Sequence, residues 1–134
     1  MKIYIASSFS LIPKILDLVN KLELLGHVIT VKWWERQYLK NQFAMLNADI
    51  FYAQPECEYA FNTDFKGIKN SDILILVADE KPRAYNGANI ELGMVLAFNK
   101  KCFSLGNLEN SAMYFTVTKC NSVDDLLKLI TCHF

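Results

Sequence analysis

The chain has no excess charge of either sign: fourteen Lys and Arg balance fourteen Asp and Glu. No overall positive field therefore draws it to a phosphate backbone or an anionic membrane surface, and neither nucleic acid nor a membrane is an expected partner. Long apolar runs are also missing. The stretch Ile73 to Ala78 falls far short of the roughly 20 residues that span a bilayer. The N-terminus lacks the basic, apolar and small-residue succession of a signal peptide, so a cytoplasmic location is expected. Histidine is scarce, and neither His27 nor His133 stands at metal-site spacing from a cysteine pair. Cys57, Cys102, Cys120 and Cys132 form no C-x-x-C and lie in or beside apolar segments, which reads as reduced thiols without metal or disulfide framework. No repeat, low-complexity tract or linker divides the chain. What remains is an ample core: 52% of 134 residues are hydrophobic and 13% aromatic, which excludes disorder and suits one domain over residues 1–134.

Lys2 to Ala6 (K-I-Y-I-A) reads as a buried first strand, broken by Ser7-Ser8-Phe9-Ser10. Leu11, Ile15, Leu18, Leu22 and Leu25 then recur at helical spacing, with Ser10 as cap, Pro13 in the first turn and Gly26 as terminator. His27 to Trp33 predicts a second strand, Trp34 to Gln54 one helix or a partly helical loop, and Glu56 to Ile68 a helix ending near Gly67. The run Asp72 to Asp79 does not alternate with polar residues, as expected for a central parallel strand covered on both faces. A loop over Glu80 to Asn89, a helix from about Ala88 to Asn99, and strands over Lys101 to Leu105 and Met113 to Val117 follow. Ser122 to Thr131 closes the chain as a capped helix with two acids in its first turn. Strands alternating with helices imply a single-domain, doubly wound α/β fold, with a mainly parallel sheet of about five strands of the flavodoxin or Rossmann type.

In such sheets ligands bind outside the carboxyl ends of the strands, where strand order reverses. This selects Ser7 to Ser10, Trp33 and Trp34, Asp79 to Asn89, and Gly106 to Ser111. Within G-A-N-I-E-L-G, Glu91 falls in the first turn of its predicted helix and shares a stripe with Ala88, Val95 and Phe98, so it points inward. The helix N-terminus favours its ionised form and an apolar surround the neutral one; a nucleophilic carboxylate needs the first effect to win. Asp64 precedes the central strand. Two acids converging on one pocket are the minimum equipment for retaining glycosyl chemistry. Trp33 and Trp34 follow the second strand, where alternation predicts one inside and one at the pocket rim, its aromatic face open to stacking. A non-catalytic nucleotide sensor or a flavodoxin-like electron carrier would share this architecture.

K-I-Y-I-A-S-S-F at Lys2 to Phe9, N-T-D-F-K-G-I-K-N-S-D-I-L-I-L at Asn62 to Leu76, G-A-N-I-E-L-G at Gly87 to Gly93 and N-S-A-M at Asn110 to Met113 stand in a telling order and spacing. Together they resemble the nucleoside 2-deoxyribosyltransferase family, whose smaller relatives include deoxynucleoside 5'-monophosphate N-glycosidases. The resemblance implies that Glu91 attacks the sugar C1' carbon to form a covalent glycosyl-enzyme intermediate, that Tyr4 orients it, and that Asp64 contacts the base and protonates or positions it as it leaves. It implies a small-molecule substrate, no cofactor, and a homodimer or higher assembly in which Asn110, Ser111 and Met113 reach a neighbouring subunit's site. Asparagine there suits a 5'-hydroxyl and serine a 5'-phosphate; this chain carries both. Ser7, Ser8 and Phe9 would line the site from the first loop. Tyr85 stands where transferases carry an aspartate, so Asp79, Asn86, Gly87 or Asn89 would supply contacts in that region. Transfer to a second base, with hydrolysis of a nucleoside 5'-monophosphate as the alternative, is the activity the resemblance implies.

Overall fold

The computed structural model describes residues 1–36, 41, 45–81, 85–109 and 111–132, with Met113 described for its backbone alone. Five parallel strands form one sheet in the order β2-β1-β3-β4-β5: β1 Lys2–Ala6, β2 Val28–Ile29, β3 Ile73–Val77, β4 Lys101–Leu105 and β5 Val117–Cys120. Among the described residues the α-helices are α1 Ile12–Leu24, α2 Ala48–Tyr52, α3 Pro55–Asn70, α4 Asn86–Ala97 and α5 Val123–Cys132. This is the doubly wound α/β architecture expected from the alternating pattern. Every residue of β3 is buried, and so are Ile3 to Ala6 of β1, which is why neither strand alternates with polar residues. No described helix is long and apolar enough to cross a membrane.

Strand order reverses between β1 and β3, because the chain leaves β1 toward β2 and leaves β3 toward β4. Their carboxyl ends therefore frame the crevice of a topological switch point. Ser7 Oγ donates to the Val77 carbonyl at 2.6 Å and ties the two ends together.

Several local expectations are corrected. The second strand stops at Ile29 rather than Trp33, because the Trp33 indole Nε1–H donates to the Ile5 carbonyl at 2.6 Å. That carbonyl is then no longer open to a longer β2, and Trp33–Arg36 turns as a 3₁₀ helix. The fifth strand begins at Val117, since Ala112–Tyr114 forms a 3₁₀ turn whose Tyr114 hydroxyl donates to Asn89 Oδ1 at 2.8 Å. Ser10 does not cap α1: its hydroxyl pairs with Ser8 Oγ at 2.8 Å, Phe9–Leu11 makes a 3₁₀ turn, and α1 starts at Ile12. Pro13 does sit in its first turn, and Gly26 ends it at φ 82°, with His27 N–H on the Leu22 carbonyl and Gly26 N–H on that of Glu23. Gly67 does not stop α3, which continues to Asn70. A Cβ at 67 would drive into the Val31 side chain, so glycine here permits close approach of helix and β2 exit. α4 starts at Asn86 instead of Ala88. Within Trp34 to Gln54, α2 is capped by Asn47 Oδ1 accepting from Ile50 N–H at 3.0 Å; residues 37–40 and 42–44 lie outside the described ones.

Candidate active site

The site grows from a polar group in an apolar strand. Tyr4 is fully buried in β1, opposite Leu74 of β3, and a phenol in such a place needs a hydrogen-bond partner. It finds one on α4: the Tyr4 hydroxyl donates to Glu91 Oε1 at 2.7 Å. Asp64, on α3, faces the same space, and its Oδ1 accepts from Arg36 Nη2 at 2.6 Å. Arg36 Nη1 also donates to the Ala60 carbonyl at 3.2 Å, so the guanidinium grips α3 at two positions one turn apart. Its 3₁₀ turn is fastened to β1 by the Trp33 indole bond.

These groups open onto a cavity of about 740 Å³ lined by Ser7, Phe9, Trp33, Arg36, Asp64 and Glu91 together with Gly87, Ala88 and an apolar wall from the α2 region. That volume lies within the usual range of small-molecule sites. Phe9 meets Trp33 edge to face at 5.2 Å, and Phe51 and Tyr52 of α2 face the same space. Aromatic faces of this kind bind nucleobases by stacking.

The electrostatics depart from expectation. Glu91 is the sixth residue of α4, and the first turn holds no acid, so the helix N-terminus does not keep it ionised. Burial instead pushes its carboxyl up to about 8; the Tyr4 hydrogen bond opposes this, the Asp64 charge adds to it and Arg36 pulls it down. Asp64 is also raised above the ordinary carboxylate range, because burial outweighs its bond to Arg36. Tyr4 is raised as well, by burial first and then by the Glu91 charge, so its proton stays in place to be donated. The result is two acids of high proton affinity around one guanidinium, which is an acid–base site rather than a pair of fixed anions.

Of the residues singled out in the sequence, Tyr4, Asp64, Glu91, Ser7, Phe9, Trp33 and Gly87 come together at this cavity. Others do not line it. Trp34 is buried against Trp33 at 5.5 Å, and both tryptophans are inside, because they sit in a turn and not on alternating faces of a strand. Ser8 pairs with Ser10. Asp79 N–H donates to the buried Tyr85 hydroxyl, a brace between the β3 exit and the start of α4. Asn86 is exposed at the start of α4, and Asn89 holds Tyr114. Ser111 is exposed, with its carbonyl accepting from Tyr114 N–H at 3.1 Å, and Met113 lies in the same turn. Asn110 lies outside the described residues.

Sequence reasoning missed Arg36 and the α2 wall. Arg36 carried a usable signal: it is one of two arginines in the chain and follows the Trp33-Trp34 pair at the carboxyl end of β2. Cys57, also at the wall, donates to the Phe51 carbonyl at 3.1 Å. Among the described residues, no group of three or more His, Cys, Asp or Glu gathers as a metal cluster would.

No family model matches the chain, and no curated protein does. Solved structures do. The structure of Clostridium botulinum CMP N-glycosidase, BcmB, superposes with a TM-score of 0.59 at 19% identity, over 98% of this chain and 99% of that one. The chain shares its fold with that CMP N-glycosidase. The likeness runs over nearly the whole of both chains.

Proposed function

We propose that this chain is an enzyme that cleaves the N-glycosidic bond of a nucleoside or nucleotide through a covalent glycosyl-Glu91 intermediate. The observation that carries this reading is the 2.7 Å hydrogen bond from a phenol buried in the sheet to Glu91 at the wall of an aromatic-lined cavity, with a second acid beside it. In the first displacement a Glu91 oxygen bonds to C1' while the C1'–N pair departs with the base, which takes a proton from Asp64. In the second, an acceptor gives its proton to Asp64 and displaces the glutamate ester, so the anomeric configuration is retained. Tyr4 holds the nucleophile's other oxygen in line.

The acceptor defines two readings. Phe9, Trp33, Phe51 and Tyr52 can hold a second base once the first has left, which favours transfer of a 2-deoxyribosyl group. The fold shared with a CMP N-glycosidase favours water as acceptor and a nucleoside 5'-monophosphate as donor. Incubating purified protein with deoxynucleosides or with 5'-monophosphates, each with and without a second free base, separates them. Exchanged nucleoside marks transfer, free base plus sugar phosphate marks hydrolysis, and intact substrate in every arm refutes both. The reading includes a second copy of the chain: Ser111 is exposed and off its own cavity, as a residue serving a neighbour would be. Light scattering that finds a fully active monomer overturns that part.

A further inference from the structure

Arg36 is joined to Asp64 at 2.6 Å, at the wall of the cavity, in surroundings where both side chains are largely withdrawn from solvent. When Asp64 gives its proton to a departing base it is left as a buried carboxylate, which is costly unless a counter-charge is already in place. Arg36 is that counter-charge. Its second bond, to the Ala60 carbonyl one turn earlier on the helix that carries Asp64, fixes the guanidinium before the reaction begins. Preorganised charge of this kind is worth more to the transition state, where the carboxylate is forming, than to the ground state.

We infer that Arg36 is a positioning residue of the departure step, holding Asp64 in place as the proton donor and compensating the charge left on it when the base leaves. The inference rests on the N-glycosidic reading given above. In balance, the Asp64 O–H bond breaks and its electron pair stays on the carboxyl oxygen beside Arg36. The proton joins the base nitrogen that receives the C1'–N pair, and C1' gains the Glu91 oxygen. The acceptor's proton returns Asp64 to its starting state.

The test uses the purified full chain with nucleosides whose bases differ only in acidity, such as a parent base and its halogenated forms. Wild-type kcat should depend weakly on base acidity, because the acid assists departure. Arg36→Met should slow the parent base by about 10²-fold, the usual size of a general-acid contribution, and much less for the most acidic base. Asp64→Asn should show the same steepened dependence, and the double variant should be no more than about twofold slower than the slower single one. Arg36→Lys should recover part of the rate, since it returns the charge without the planar two-point grip. A merely structural clamp predicts the contrary: a lowered melting temperature, equal loss on every base, and losses that multiply in the double variant. Glu91→Gln separates the two claims, because turnover surviving that change refutes the nucleophile while the Arg36 and Asp64 series still reads departure. Carboxyl ¹³C NMR supplies a readout without turnover: the Asp64 titration should move up in Arg36→Met, and an unmoved titration overturns the inference.

Discussion

β1 and β3 lie side by side at the centre of the sheet, alike in burial except for Lys2 at the start of β1, yet they serve different ends. β3 is wholly aliphatic, Ile73-Leu74-Ile75-Leu76-Val77, and its side chains contribute burial alone. β1 sets a phenol at its middle, directly opposite Leu74, and the hydroxyl is tolerated because Glu91, on α4, accepts its hydrogen bond. One polar atom in an otherwise interchangeable position thus marks the face of the sheet onto which the candidate site opens. Burial that stabilises at Leu74 raises the proton affinity of the acid that Tyr4 serves.

The comparison breaks most sharply at Glu91. Glu91→Gln should reduce turnover by on the order of 10³-fold or more in a steady-state assay, as expected for loss of a nucleophile. The same change should raise the melting temperature at pH 8. The folded chain holds the Glu91 proton up to about 8, whereas the unfolded chain releases it near 4.5. Stability therefore falls as pH climbs through that window, and the full penalty stands above it. A glutamine carries no such penalty.

Leu74→Ala tests the other strand. It should cost about 2–5 kcal/mol in denaturant unfolding, as for a fully buried leucine, and leave the pH dependence of catalysis where it was. Tyr4→Phe should do the reverse. The ring still fills the core, so stability changes little, but kcat should fall roughly tenfold as Glu91, the proposed nucleophile, loses its hydrogen-bond partner. Without that bond Glu91 holds its proton more tightly, and the alkaline limb of the rate profile should move up.

The smallest effect is one of shape. Burial raises both Glu91 and Asp64, and the proposed mechanism needs a proton on Asp64 with Glu91 ionised. The pH profile of kcat/KM should accordingly be bell-shaped, falling above about 8 as the pair loses its last proton. In Asp64→Asn only Glu91 titrates, so the residual activity should rise with pH to a plateau. A wild-type profile that keeps rising past 9 would remove Asp64 from the donor role.

Much of this architecture was legible in the chain for a physical reason. β3 is continuously apolar, and β4 matched its predicted bounds, Lys101 to Leu105, because burial and β-branched or aromatic content act locally. β2 and β5 were misread because distant side chains decide where they run. The Trp33 indole takes a carbonyl of β1, and Tyr114 anchors to Asn89 on α4. Glu91 stood out through its motif, but its ionisation did not. A helix starting two residues earlier than expected carries it past the first turn, beyond reach of the helix end, and leaves burial to dominate. The role of Arg36 was not legible, because its partner lies 28 residues away on another element, a pairing that no local spacing announces.

The most direct measurement is mass spectrometry of the protein quenched during turnover of a 2'-fluorinated nucleoside, whose electron-poor sugar slows breakdown of a glycosyl ester. The account predicts a mass increase of one sugar, located on the peptide containing Glu91 and missing in Glu91→Gln. Bond cleavage that proceeds with no adduct, or with the sugar on another residue, would contradict it.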